Sequence, residues 1–353
     1  MIDDKSGETG EKMAEAAAAG SVQAPSEAPA LGQRVFRPRT IISFAVGALI
    51  LGFSMNRLHV DPGATWLQMR AANPILLIAA FLLYYCTFPI RGTRWQRLLR
   101  NTGTPVRDLP SIASLTEIVY LAFFANCVVP AKLGDVYRAY LLRQRSPVSF
   151  SKAGGTIVAE RLIDLLVVLI FLGAFGLLSF RGVLPPWVLL AIEIGFGAAA
   201  VAAVGLLALR RVDPFLRRLV PARFAHVYIH FRDGVLGSFG AYPQVLGMTI
   251  LAWFVECGRL FLVTQSVGLT LSTNLALNLA MVGFIALAGS FLSAPPGTPG
   301  GLGYVEASMV LLFSLFGATQ SVALSIALLD RAISYASLVV IGFVVYLYSQ
   351  RYA

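Results

Sequence analysis

The sequence predicts an all-α integral membrane protein, with about six full spans plus two re-entrant elements arranged as inverted repeats. Three observations carry this. Apolar residues make up 57% of the 353 and charged residues only 13%, about half the charge of a soluble domain. Apolar runs long enough to cross a bilayer recur along the chain. The landmarks of residues 94–161 return in residues 259–331, in the same order and at nearly the same spacing. A soluble globule is excluded, because too little polar surface exists to cover one. The net charge of +10 reads as topology rather than nucleic-acid binding, since Lys and Arg collect in cytoplasmic loops. Cys86, Cys127 and Cys257 lie in or beside apolar runs. They make no disulfide framework and fit no metal-ligand spacing.

The N-terminal 37 residues come first. Residues 1–33 hold six acids against two lysines, a net of −4, which leaves +14 for the remainder. Such a segment cannot bury enough apolar surface to order itself, so it predicts a disordered cytoplasmic tail. It is no signal peptide, because the first apolar run begins only at Thr40, after Arg34, Arg37 and Arg39. Residues 38–353 form the polytopic domain, with repeat units at about 74–209 and 243–349.

A helical span needs about 20 apolar residues. Residues 40–58, 74–93, 154–180, 187–209, 243–266 and 321–348 read as full spans. Basic clusters fall at 34–39, 91–107, 132–152, 210–232 and Arg351. Keeping all of them on one side requires 111–130 to enter and leave from the cytoplasm, and 275–318 to enter and leave from outside. Both termini are then cytoplasmic. Eight plain spans are the alternative.

The repeat rests on four landmarks. Arg94 precedes Pro130 by 36 residues, and Arg259 precedes Pro295 by 36. A Pro/Gly break then carries a Gly and an acid, Gly134-Asp135 in one half and Gly303 with Glu306 in the other. Glu160-Arg161 answers to Asp330-Arg331. The offsets are 165, 169 and 170, so the second unit carries a short insertion. Inverted repeats with broken helices place a transport site where the breaks meet.

The breaks and the intramembrane charges supply the candidate site. The first break runs Asn126…Pro130…Gly134-Asp135…Arg138, the second Pro299-Gly300-Gly301…Gly303…Glu306. Pro ends a helix and Gly allows a turn or a close approach, and N–H groups freed at a helix start attract anions. Glu160, Arg161 and Asp164 share a helix, as do Asp330 and Arg331, and ionisable groups at membrane depth are costly unless partnered. Arg138, Arg161 and Arg331, with Asp135 and Glu306, are expected to converge on one polar cavity. There the planar guanidinium forks suit a lipid phosphate. The bland alternative makes each pair, including Glu256–Arg259, a structural clip, and Glu193 a headgroup-level residue. His226 and His230 sit four apart near Asp233, but in a basic connector that does not suggest zinc. The run Gly297–Gly303 lacks the Lys-Ser/Thr of a nucleotide loop. No metal and no cofactor are expected.

The elements Asn126…Pro130…Gly134-Asp135…Arg138, Glu160-Arg161…Asp164, Pro295-Pro-Gly-Thr-Pro-Gly-Gly-Leu-Gly303…Glu306 and Asp330-Arg331 resemble the flippase-like family typified by the transmembrane region of lysylphosphatidylglycerol synthetase. The resemblance covers about residues 38–349. It implies a membrane domain that moves lipids, such as aminoacylated phosphatidylglycerol, across the bacterial plasma membrane. Relatives are linked to hopanoid or glycan-lipid pathways. The family often has Glu where this chain has Asp135. The full synthetase carries a soluble aminoacyl-transferase domain after the membrane region. This sequence ends at Ala353, so that activity is expected to be absent and the chain not to be an enzyme.

The expected function is therefore flippase-like transport of a phospholipid or lipid-linked headgroup, with membrane lipid as the substrate and no nucleic-acid partner. One alternative is a non-transporting subunit beside a lipid-modifying enzyme. The other is a polyprenyl-linked glycosyltransferase, disfavoured because loop 59–73 offers a single acid, Asp61.

Overall fold

The computed structural model describes residues 38–57, 60–129, 133–180, 186–240, 242–292 and 298–351. The acidic tail, Pro130, Pro295 and Gly297 lie outside the described residues. Every regular element among those described is helical, and the described chain is a multi-pass membrane protein by its apolar helices. Four helices are long and apolar enough to span: α3 (Pro74–Asn101), α6 (Phe150–Ser179), α9 (Tyr242–Ser266) and a final helix over Gln320–Ser349. The final helix comprises α12 (Gln320–Arg331), a π-turn at Ala332–Ala336 and α13 (Ser337–Arg351). Shorter apolar helices are α1 (Pro38–Arg57), α4 (Ile112–Val128), α10 (Leu275–Leu292) and α11 (Tyr304–Leu315). The rest are α2 (Pro62–Ala71), α5 (Gly134–Arg145), α7 (Pro186–Leu219) and α8 (Ala222–Gly237).

Local chemistry starts the helices. Asp61 accepts from the backbone N–H groups of Gly63 and Ala64 at 2.8 and 3.2 Å, with Pro62 opening the first turn. Asn73 does the same for α3 ahead of Pro74. Side-chain acceptors at N-caps satisfy donors that the helix cannot, and Pro at the first position forfeits nothing. This corrects the reading of 59–73 as a loop, since 62–71 is helical and its one acid caps it.

A second correction concerns α3. The expected span ended near residue 93, in a basic run at the membrane face. The helix instead continues to Asn101, and Arg91 and Arg94 are buried. Of that run only Arg100 is exposed, and Arg97 is half-buried.

Packing contacts within residues 74–179 have counterparts that involve residues 242–351. α3 packs on α9; each then packs on the helix that follows it, α4 or α10. α4 packs on α13 just as α10 packs on α6, and α5 and α11 each pack on the long helix after them. The α3–α9 pair runs antiparallel: Asn101 donates to Ser238 O just before α9, while Asn73 N donates to Ser266 O at its end.

The ends of α3, α5 and α13 and the start of α6 meet beside α8 at one end of the bundle. Arg145, closing α5, makes a bidentate pair with Glu117 near the start of α4 and also reaches Ser349. The unit α4–break–α5 is thus a hairpin with its ends together. At the same end α8 crosses α6, where Gly155 and Gly234 let the backbones touch. A Cβ on Gly155 would stand 2.2 Å from Phe231 O, and one on Gly234 2.3 Å from Lys152 O.

Candidate functional site

Between the two units lies a cavity of about 470 Å³. Both breaks reach it. Asn126 and Cys127 come from the end of α4, and Thr298, Gly300 and Gly301 come from the second break. Asn126 Oδ1 accepts from Gly134 N at 2.8 Å, and a Cβ on Gly134 would lie 2.0 Å from Ala122 O. Asn126 and Gly134 therefore close the first break by starting α5 tightly against α4. In the second break, Pro299–Gly301 form one 3₁₀ turn. Gly300, Gly301 and Gly303 all have positive φ, at 58°, 73° and 84°, a region costly for any residue with a Cβ. Glu306 starts α11 by accepting from Gly303 N at 2.7 Å. The breaks are joined across the units, because Tyr335 donates to Cys127 O at 2.9 Å while its ring packs where a Gly300 Cβ would sit.

The charged groups form two like networks. In the first unit Arg161 makes a bidentate pair with Asp135, with Nη2–Oδ1 at 2.7 Å and Nε–Oδ2 at 3.1 Å. In the second, Arg331 Nε donates to Glu306 at 2.7 Å and its Nη2 to Gly300 O at 2.7 Å. Each arginine of the long helix that follows thus holds the acid at the start of the post-break helix. The preceding acids are met by the arginines of α3 and α9. Arg94 donates to Glu160 and Asp164 at 2.6 Å each, and to Thr249 at 2.9 Å, while Arg259 pairs with Asp330 and with Glu256. Such matching is what buried charge requires, since an unpaired ion in a dry interior costs several kcal/mol.

The cavity wall takes Asn126, Asp135, Arg161, Asp164, Gly300, Gly301, Asp330 and Arg331 from the predicted set. Arg138, Glu160 and Glu306 stand behind it. Arg138 is buried, donates to both Glu160 oxygens at 3.1 and 2.9 Å, and lies 3.9 Å over the Trp95 ring. Glu306 is 1% exposed beneath Arg331. Pro299 and Gly303 shape the second break. The Arg161–Asp135 pair is the open part of the wall, with side chains 41% and 32% exposed. His226 and His230 meet Nε2 to Nε2 at 2.8 Å on α8, away from the cavity.

Four residues that set the charge and donor pattern of the wall were not assigned to it from the sequence. Arg91 was read with the cytoplasmic basic run, Glu256 and Arg259 only as a clip, and Trp253 not at all. The repeat offset of 165 was the available signal, because it pairs Arg94 with Arg259 and Arg91 with Glu256.

The fold and cavity define a polytopic α-helical membrane protein with a charged pocket among its helices. The family model for the lysylphosphatidylglycerol synthase transmembrane region matches residues 40–342, and the chain belongs to this family. A UPF0104 membrane protein of Methanocaldococcus jannaschii is 31% identical over 229 residues, covering 65% of this chain and 95% of that protein. Glycosyltransferase AglD of Haloferax volcanii is 27% identical over 350 residues, spanning 88% of this chain but only 55% of AglD. A UPF0104 membrane protein of Pyrococcus horikoshii is 25% identical, with 76% and 85% covered.

Proposed function

We propose that the chain is a flippase-like transporter that moves a phospholipid or lipid-linked headgroup across the plasma membrane and performs no covalent chemistry itself. The observation that carries this reading is a cavity of about 470 Å³ lined by four arginines and four carboxylates inside an otherwise apolar helix bundle. A headgroup crossing hydrocarbon loses its hydration, and polar groups along a wet path offset that loss. Its acyl chains stay in the bilayer.

In the proposed topology α4–α5 and α10–α11 are re-entrant, the other long helices span, and both termini are cytoplasmic. Helices α4 and α10 have 17 and 18 residues. At 1.5 Å per residue each reaches under about 30 Å, the thickness of the hydrocarbon core. The Arg145–Glu117 clasp at the ends of α4–α5 supports the same reading, as does the antiparallel α3–α9 pair. Non-helical backbone at that depth is tolerated because it lines a cavity.

The test is reconstitution into liposomes with labelled lipids of several headgroups, followed by a leaflet-accessibility assay. Arg161→Lys keeps the charge but loses the bidentate hold on Asp135. Transport should fall while the protein stays folded. Unchanged lipid movement in both Arg161→Lys and Arg331→Lys makes these two pairs structural clips, and movement of none of the labelled lipids by the wild type overturns the proposal. Glycosyl transfer is a second reading, favoured by the similarity to AglD. Sugar release from a labelled polyprenyl-phosphate sugar by the purified chain decides for it. A third role, as a non-transporting partner of a lipid-modifying enzyme, is supported if the chain co-purifies with such an enzyme and moves no lipid.

A further inference from the structure

One corner of the cavity breaks the match between the two charge networks. Arg91 on α3 is 5% exposed and lines the cavity. Its guanidinium makes one polar contact among the described residues, to Glu256 Oε1 at 3.4 Å. A charge-assisted N–H···O bond is normally near 2.7–2.9 Å. Its Nε is buried with no partner. Beside it, Trp253 also lines the cavity, and its indole Nε1 is likewise buried without a partner. The Trp253 and Phe123 rings flank the guanidinium at 5.9 and 5.2 Å.

Other cavity arginines are engaged. Arg161 is held by Asp135, Arg331 by Glu306 and Gly300 O, and Arg259 by Glu256 and Asp330. Arg94 and Arg138 also leave Nε unpartnered, but both are bonded through their Nη atoms and neither lines the cavity. The acid facing Arg91 is already shared, because Glu256 Oε2 lies 3.2 Å from Arg259. Buried donors without acceptors are costly and scarce in folded proteins. Two on one cavity corner, from a cation and an indole, form a place for an acceptor that arrives with a ligand. The repeat explains the asymmetry. The position that is Arg91 in the first unit is Glu256 in the second, so here the units do not answer charge for charge.

We propose that the Arg91–Trp253 corner is the phosphate subsite of the cavity, taking the phosphate oxygens of the lipid headgroup. This rests on the lipid-transport reading and moves the phosphate from Arg161 and Arg331, which are spent on protein partners, to Arg91. Both unpartnered N–H groups are covered in this structure, so rotations of the Arg91 and Trp253 side chains bring them to the phosphate oxygens, the guanidinium donating from Nε and Nη and the indole N–H donating a third bond. Trp253 fixes the direction of approach, and Arg91 supplies the charge.

The experiment measures binding to the purified full-length chain in detergent by native mass spectrometry and equilibrium titration. The probes are phosphatidylglycerol, diacylglycerol (the same tails without phosphate) and inorganic phosphate. The wild type should prefer phosphatidylglycerol to diacylglycerol by at least tenfold. Trp253→Phe keeps the ring and removes one donor, so it should lower that preference roughly tenfold, as expected for one bond to a charged group. Arg91→Gln should abolish it. Arg107→Gln, an 87% exposed side chain in the 3₁₀ turn Val106–Asp108, controls for the loss of one positive charge. If Arg91→Gln fails to reach the membrane, Trp253→Phe decides the question. Preference retained in the variants overturns the subsite and leaves lipid transport standing. Arg91-dependent binding of inorganic phosphate, without lipid preference, supports the anion subsite and removes the lipid reading. Binding of none of the probes overturns both.

Discussion

Replacing Arg94 with Met tests the charge network most directly. Arg94 is 0% exposed and bridges Glu160 and Asp164. Around it three arginines (Arg94, Arg138, Arg161) face three carboxylates (Asp135, Glu160, Asp164). Without Arg94, Glu160 keeps Arg138 at 2.9 Å. Asp164 is left only with Arg161 at 3.8 Å, and that arginine is already committed to Asp135. One buried carboxylate is therefore uncompensated, which costs about 3–5 kcal/mol. In thermal unfolding of the detergent-solubilised protein, the midpoint should fall by on the order of 10 °C. Asp164→Asn should then rescue Arg94→Met. It restores the charge balance while the Glu160–Arg138 and Asp135–Arg161 pairs remain. The double variant should be clearly more stable than the sum of the single losses. Additive losses would refute the reasoning, because uncoupled residues cannot share one buried bridge.

Three further outcomes follow from the structure. Gly155→Ala or Gly234→Ala should cost about 1–3 kcal/mol and loosen α8 from α6, read as faster proteolysis of the 210–240 connector; unchanged cleavage would show that the helices do not touch there. Stability should fall in mild acid through His230: burial, then the neighbouring His226, holds it below its ordinary value of 6.5 in the folded protein. The unfolded chain therefore takes up more protons as pH drops through 6.5 and below, and His230→Gln should flatten that limb of the melting-point curve. Deleting residues 2–30, which are acidic and low in apolar content, should leave the melting midpoint unchanged; a large drop would show that the tail is docked.

The sequence by itself determined that the chain lives in a membrane and carries a recurring order of landmarks, because composition and order are one-dimensional properties. Apolar excess leaves no soluble surface, and Arg94…Glu160-Arg161 against Arg259…Asp330-Arg331 is legible as spacing. The resemblance carried by the two Pro/Gly breaks also named the family. Helix ends were partly legible too, since Asp61 before Pro62 and Asn73 before Pro74 are local caps. What an arginine does was not legible. Arg91, Arg94, Arg97 and Arg100 look alike in sequence, a basic run after an apolar span. Only the packing of α3 against α9 and the neighbouring α6 buries the first two and aims them at carboxylates 66 to 165 residues away. Trp253 gave no signal, since an orphaned indole N–H exists only once its surroundings are closed. A residue's type and spacing are set by the chain, but whether its charge is spent on a neighbour or left for a ligand is set by which helices meet.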